Sequence, residues 1–423
     1  MLGTDDNSFK IDDVFYAPYK RCLNFVETII QDYIDDNKDH DVVSYIKKRI
    51  KSEDSIREKL DRSGISCNYD NIRNRCHDIA GIRIVCPFLR DVYEVIDYIR
   101  TNPYIDSVKV EKDYISNPKE SGYRSYHMVV NIRDSVLNGD KIRILPVEIQ
   151  IRTLAMDCSA VLEHRTRYKK TNSRTDGWIL SDAMNSKIGN ASLKMMEIDN
   201  KLNLFLEGLN LFSDNELSLS SNEYDLYKYE YAEAKLRTIV KRIEKELNSD
   251  NCKLVEAVRV RLKSARSIEK KLKSRGKKSV IEIHDVVAAR FICPFLSDLD
   301  KVIDKIIFNS EFEIVGCKDY VNSPKDNGYS SFHILVKIPV YIDGISDYVK
   351  VEIQVRTIAM NMWASLHHKL CYEQNDTSSE VAWMLKKWAV DLRRIDEDYD
   401  NIYKAYNDSK NKNSVKRLVK KNN

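Results

Sequence analysis

Sorted by the alternation of apolar and polar residues, the chain reads as short strands separated by helices. VEIQIRT sets Val147, Ile149 and Ile151 on one side and Glu148, Gln150 and Arg152 on the other, the two-residue period of a strand with one buried face. IAGIRIVCPF and VVAARFICPF are apolar, rich in β-branched residues and closed by proline, as buried strands are. Helical spacing returns over 91–101 and 298–308, and over the longer stretches 186–211 and 381–406. The charged segment from Val42 to Leu60 is expected to be helical. In GYRSYH the strand period places Tyr123, Ser125 and His127 on one face and Arg124 and Tyr126 on the other, after a Pro-Lys-acid-polar turn signal. The least apolar connector, SDNELSLSSNEY (Ser213 to Tyr224), is the expected linker.

This pattern is written twice. RIKSEDSIREK (Arg49 to Lys59) pairs with RLKSARSIEKK (Arg261 to Lys271), and CHDIAGIRIVCPFLRD with IHDVVAARFICPFLSD. KDYISNPKESGYRSYH pairs with KDYVNSPKDNGYSSFH, and VEIQIRTLAM with VEIQVRTIAM. From His77 to Tyr123 is 46 residues and from His284 to Tyr329 is 45; the next steps, to Glu148 and to Glu352, are 25 and 23. A repeat of about two hundred residues is a duplicated domain, since solenoid units run to about 20–50. The expectation is α+β: a first mixed-sheet domain with helical extension at 10–212, a linker at 213–224, a second such domain with a C-terminal helix at 225–410, and a basic tail at 411–423.

Composition adds limits. A length of 423 residues suits two domains, and 43% apolar with 32% charged is a globular balance. No apolar run approaches a membrane span of roughly 20 residues, and the amino terminus lacks the basic-then-apolar pattern of a secretory signal. The nine scattered cysteines, with no C-x-x-C pair, read as reduced thiols of a cytoplasmic protein and not as zinc ligands. Net charge is only +4, although cations cluster at Lys47 to Lys51, Arg259 to Arg266 and Lys270 to Lys278 and in the tail. Such runs hold RNA or phosphates in some proteins and form a solvated face in most.

Three groups of repeated polar residues carry chemistry. Asp78 precedes one buried strand and Glu148 projects from another; two carboxylates at the ends of neighbouring strands suit Mg²⁺ with nucleotide phosphates as further ligands. The plainer alternative is a pair of unrelated surface acids bound to arginines. Lys51, Ser55 and Lys59 fall at i, i+4 and i+8, as do Lys263, Ser267 and Lys271, a row able to clamp a triphosphate or to be an ordinary exposed helix face. Tyr123 after its glycine turn offers a flat platform for a base, with His127 and Lys119 free to meet ribose or phosphate. A core tyrosine beside a satisfied histidine is the competing reading. Tyr329 and His333 repeat the arrangement.

The four blocks, in this order and followed by LEH (Leu162 to His164), resemble the synthetase domain of the RelA/SpoT family, above all its small stand-alone alarmone synthetases. The resemblance covers most of 42–170 and 254–373. It implies a mixed-sheet fold related to nucleotidyltransferases, and transfer of the β,γ-pyrophosphate of ATP to the 3′-hydroxyl of GTP or GDP, giving (p)ppGpp and AMP. It also implies roles. Asp78 and Glu148 match Mg²⁺-binding positions, with Glu148 also able to accept the proton of the attacking hydroxyl. Arg49 and Arg83 match the arginines that sandwich adenine, and Lys51, Ser55 and Lys59 the ATP phosphate clamp. Tyr123 matches the tyrosine on the acceptor guanine, with Lys119, His127 and Gln150 around ribose and phosphates. The second-copy positions are Arg261, Lys263, Ser267, Lys271, Asp285, Arg290, Lys325, Tyr329, His333, Glu352 and Gln354.

Departures from the family pattern accompany the likeness. Where members usually carry a glycine before the first motif arginine, this chain has Lys48 and Val260, side chains expected to narrow or reshape the loop over ATP. The first copy has Asp157, Cys158 and Ser159 where the second keeps NMWA (Asn361 to Ala364), and Glu163 stands opposite His367. No hydrolase or ribosome-binding region is recognisable, so a synthetase without built-in hydrolysis is expected, either a homo-oligomer or an intrachain pseudo-dimer. Two alternatives stand beside it. One half acts as a nucleotide sensor, or the enzyme is a toxin-type relative whose acceptor is tRNA or an adenine nucleotide.

Overall fold

The computed structural model describes residues 11–37, 42–119, 122–134, 143–165, 182–208, 223–249, 252–276, 279–342, 345–373 and 379–421. The expected linker thus lies, but for its last two residues, outside the described residues, as does the end of the tail. Two compact units are present, Met1–Met156 and Asp157–Asn423.

The first unit holds α1 (Asp13–Asp36), β1 (Tyr45–Ile50), α2 (Glu53–Asp61), α3 (Tyr69–Arg75), β2 (Ala80–Cys86), α4 (Leu89–Thr101), β3 (Ser107–Asp113), β4 (Tyr126–Arg133) and β5 (Ile144–Thr153). Its sheet runs β1-β2-β5-β4-β3, with β2 and β5 parallel and the other neighbours antiparallel. Helix α5 (Leu154–Glu163) follows β5, and α6 (Asp182–Gly208) belongs to the second unit. That unit continues with α7 (Glu223–Leu247), the short pair β6 (Asn248–Ser249) and β7 (Cys252–Lys253), β8 (Ala257–Leu262), α8 (Ala265–Arg275), β9 (Val287–Cys293), α9 (Leu296–Ile307), β10 (Glu313–Asp319), β11 (Phe332–Ile342), β12 (Ile345–Thr357), α10 (Ile358–His367) and α11 (Ser379–Lys421). Its main sheet, β10-β11-β12-β9-β8, is the first sheet read from the other edge, again with one parallel pair, β9 and β12. The α+β expectation, two tandem mixed-sheet units, is therefore met.

Each sheet has one apolar and one polar face, because residues paired across a ladder point the same way. In the first, Ile82, Met128, Ile149 and Ile151 are buried together with Cys22, Leu23, Val26 and Ile30 of α1 and Val92, Val95 and Ile96 of α4. The second buries Ala289, Ile334, Ile353 and Val355 with Leu236, Ile239 and Ile243 of α7 and Val302 and Ile306 of α9. Helices on one face of a sheet leave the other face available for a site. Neither α1 nor α7 was anticipated from the pattern.

One expectation fails outright. The segment expected as a helix from Val42 to Leu60 is a strand as far as Ile50 and a helix only from Glu53. β1 is an edge strand, paired on one side with β2 alone. Edge strands take charged residues on both faces, and Lys47, Lys48 and Arg49 hide the two-residue period. The switch to helix is fixed by Ser52, whose hydroxyl accepts the Ser55 amide as an N-cap. Among the described residues no helix is long and apolar enough to cross a membrane.

Candidate active site

The polar face of the first sheet gathers nearly every residue singled out from the sequence. The ladder pairs Arg49 with Gly81, Gly81 with Glu148, Arg83 with Gln150, and Gln150 with His127. Arg49, Arg83, Glu148, Gln150 and His127 therefore share one face. The second sheet repeats this with Arg261 on Ala288, Ala288 on Glu352, Arg290 on Gln354, and Gln354 on His333. Glu148 lies within β5, not at a strand end as expected, with Asp78 two residues before the neighbouring β2.

The lysines converge on the aspartate by a route the helix reading missed. Lys51 sits at the strand–helix junction and Lys59 two turns along α2; they donate to Asp78 Oδ2 at 2.6 Å and Oδ1 at 2.7 Å. In the second copy Lys263 and Lys271 reach Asp285 Oδ2 at 2.9 and 2.6 Å. Burial pushes Asp78 up, but the hydrogen bonds and charge of the two lysines outweigh it and hold the carboxyl at about 2. Asp285 is lowered by the same balance. Lys263 comes down to about 8, because its own burial and the nearby Arg261 and Lys271 outweigh Asp285. Ser55 and Ser267 each accept a hydrogen bond from the preceding cap serine, Ser52 at 2.9 Å and Ser264 at 3.1 Å.

Glu148 anchors a second network. Its Oε2 accepts from Arg49 at 3.0 Å and Gln150 at 3.2 Å, and its Oε1 lies 3.6 Å from His127 Nδ1. Tyr123 Oη and His127 Nε2 are 2.8 Å apart. With the ring proton on Nδ1, His127 faces Glu148 as donor and accepts from Tyr123. Burial raises Glu148, but His127 and Arg49 bring it below the usual carboxylate range. Glu352 is held at about 2, with burial outweighed by His333 and by Gln354, which donates to it at 2.6 Å. His333 repeats both contacts, at 3.3 Å from Glu352 and 2.7 Å from Tyr329.

The glycine turn before Tyr123 is also built twice. Gly122 and Gly328 have φ of +80° and +93°, the left-handed region that glycine tolerates. The turn brings Lys119 back to the Tyr123 carbonyl, and its ammonium lies 5.0 Å from the Tyr123 ring centre and 4.6 Å from that of Tyr114. Lys325 sits likewise over Tyr329 and Tyr320. Tyr123 and Ser125 precede β4 instead of lying in it, a departure from the strand reading, yet both still meet the polar face. They do so through a residue missing from the candidate set. Arg152 donates to Tyr123 Oη at 2.6 Å, Gln150 Oε1 at 3.0 Å and Ser125 Oγ at 3.2 Å. Arg356 serves Tyr329 and Gln354 in the second copy. Tyr114 and Tyr320, edge-on to the histidines at 5.3 Å, were missed as well. All four stand in the repeated KDY and EIQ-x-RT blocks, which was the available signal.

The copies differ in three places. Gly81 leaves room for Arg49 to lie across it: an added methyl would meet Arg49 Nε at 3.2 Å and Cγ at 3.3 Å. Ala288 carries that methyl under Arg261, and no ion pair joins Arg261 to Glu352 among the described residues. At Gly328 an added Cβ would clash with Ala389 of α11 and lie 3.7 Å from Trp363, whereas among the described residues nothing stands within 4 Å of one at Gly122. Trp363 in turn stacks on His367 at 4.8 Å, and His367 Nε2 lies 3.0 Å from Asn327 of the turn. Lastly, Arg290 donates to Asn361 at 3.0 Å. The expectation for Lys48 and Val260 is corrected. Lys48 bonds Glu27 and Asn24 of α1, Val260 is buried in its core, and neither reaches the polar face.

The carboxylate pair fits a hard divalent cation. Among the described residues Asp285 Oδ1 is buried without a hydrogen-bond partner, and Glu148 and Glu352 are each destabilised by the charge of the neighbouring aspartate. Among the described residues no three or more His, Cys, Asp or Glu side chains form a metal cluster, so phosphate oxygens and water would have to complete the coordination.

The profile of a region found in RelA / SpoT proteins matches residues 48–173 and again 260–377. GTP pyrophosphokinase YwaC of Bacillus subtilis (strain 168) is 39% identical over 156 residues, 36% of this chain and 74% of that protein. GTP pyrophosphokinase YjbM of the same organism is 32% identical over 151 residues, 35% and 72% of the two chains. Among solved structures, small alarmone synthetase 2 from Bacillus subtilis shares 36% identity, covering 43% of this chain and 98% of that one with a TM-score of 0.40. Small alarmone synthetase 1 bound to its product pppGpp shares 29%, covering 43% and 95%, with a TM-score of 0.41. The two profile matches take in more than half of the residues, and the chain belongs to the RelA/SpoT family, with the family's region present twice.

Proposed function

We propose that the chain is a (p)ppGpp synthetase, an ATP:GTP or GDP 3′-pyrophosphotransferase, and that both repeats are built for the reaction. The observation that carries this is the duplicated constellation. In each copy an aspartate is held by two lysines, a glutamate faces a histidine, and that histidine meets a tyrosine beside a left-handed glycine. Two of the proteins to which the chain is similar are named GTP pyrophosphokinases.

On this reading Lys51 and Lys59, with Lys263 and Lys271 in the second copy, exchange their aspartate contacts for phosphate oxygens of ATP. Arg49 and Arg83, or Arg261 and Arg290, flank the purine. As Arg49 leaves Glu148, one of the cations holding that carboxylate low is removed, and its basicity rises. The guanine stacks on Tyr123 or Tyr329, whose ring is fixed by Arg152 or Arg356. The 3′-oxygen then attacks the β-phosphorus of ATP, the bond from that phosphorus to the bridging α,β oxygen breaks, and AMP departs. The hydroxyl proton passes to Glu148 or Glu352. Mg²⁺ held by Asp78 with Glu148, or Asp285 with Glu352, would offset charge on the transferring group. The protein's remaining work is positioning and neutralisation.

The test is product analysis by anion-exchange chromatography after incubating the purified chain with ATP, Mg²⁺ and either GTP or GDP. AMP and a guanosine penta- or tetraphosphate in equal amounts are expected. AMP-forming transfer to an adenine nucleotide or tRNA, with no guanosine product, would contradict the assignment of the acceptor.

A further inference from the structure

Helices α6 and α11 pack against each other inside the second unit, and their ion pairs follow a symmetry rule. Lys194 Nζ lies 3.2 Å from Asp391 Oδ2, and Lys187 pairs with Asp398 seven residues away in opposite directions along the two helices. The helices are therefore antiparallel. They are also equivalent in the repeat. Ile188, Ala191, Met195, Ile198 and Asp199 are buried on α6, and Leu385, Trp388, Leu392, Ile395 and Asp396 occupy the matching buried positions on α11, each 197 residues later. Under the same shift Lys194 corresponds to Asp391 itself. The pair thus sits on the approximate two-fold axis that exchanges the helices, where a symmetric dimer would place a residue against its own copy.

We propose that this is an interface written for unlike partners: the helix after the first repeat is matched to the helix after the second and set against copies of itself. An α6–α6 pair in this register would place Lys194 on Lys194 and Lys187 on Lys201, since Lys201 corresponds to Asp398. An α11–α11 pair would place Asp391 on Asp391. Only the α6–α11 pair turns these oppositions into attractions, and juxtaposed like charges are how helix interfaces reject wrong partners. The partner for α6 is thus α11 of the same chain, which lets a duplicated chain occupy its own pairing surface.

Charge reversal in the full chain tests it, read by hydrogen–deuterium exchange of peptides from α6 and α11 and by sedimentation. Lys194→Asp and Asp391→Lys each create a like pair and should speed exchange in both helices, by about three- to tenfold for a partly buried pair inverted to repulsion. The combined Lys194→Asp/Asp391→Lys chain, with the pair restored in reverse, should be better protected than either single variant and recover the wild-type mass, short of wild-type protection only by the Lys194–Glu197 pair within α6 that it loses. Singles without effect, or a double variant no better protected than the worse single, would overturn the proposal. Peptides from the two sheets report whether a variant has simply failed to fold.

Discussion

At the scale of the residue, the two copies share their chemistry and differ in how firmly it is held. Gly328 and Gly122 make the contrast testable. Alanine at either pays for a positive φ, about 1 kcal/mol, but at Gly328 it also drives a methyl into Ala389, for which overpacking adds about 1–3 kcal/mol. Thermal unfolding should rank Gly328→Ala clearly below Gly122→Ala, and only the former should loosen guanine-nucleotide binding through the neighbouring Tyr329. Equal losses would mean that the α11 contact does not brace the turn. Most residues of the site were legible because the chain is its own comparison: Asp78, Glu148, Tyr123 and His127 each recur in register. Arg152 was passed over because its alternation marked it as a companion of Glu148 and Gln150, while its three side-chain partners come together only when the turn folds back.

Among elements, strands with one clean apolar face were readable and the edge strand was not. β5 alternates and β2 is apolar, but β1 meets solvent, α1 and the site at once, and its cations carry no period. The consequence is functional. Lys51 and Lys59 share a helical face on paper, yet they actually meet at Asp78 because a strand turns into a helix between them. A second element-level feature is the docking of α11, where buried Asp396 accepts from Thr357 Oγ1 at 2.6 Å. Burial, assisted by Asp400 and Glu397 against the opposing Thr357 bond and Arg393, raises this carboxyl to about 7. Its folded value lies above its unfolded one, so between about pH 4 and 7 only the folded state keeps the proton, and stability falls as pH rises through that window. Chemical denaturation at pH 5 and 7.5 should show this decline across about two units below the folded value, worth up to about 2.7 kcal/mol at about 1.36 kcal/mol per pKa unit. Asp396→Asn, which can still accept from Thr357, should abolish it. Asp78 and Glu352, both held near 2, act in a separate range, with their stabilisation lost as pH falls below about 4.

For the whole molecule, the duplication is what the sequence displays most plainly, and the two sheets have the same strand order and the same single parallel pair. The grouping of α6 with the second repeat was less legible, because long-range helix packing leaves no mark in local periodicity. The central claim is that each repeat carries a complete pyrophosphate-transfer site. It is tested most directly by initial rates of (p)ppGpp formation for the wild type, Asp78→Asn, Asp285→Asn and the combined variant, with circular dichroism to confirm that each remains folded. Two working sites predict that each single substitution removes only part of the activity and that the double variant falls by at least about a hundredfold, the order expected when charge stabilisation is lost from a transition state. A single substitution that abolishes all product while the other leaves the rate untouched would contradict it, and would leave one repeat without a catalytic role.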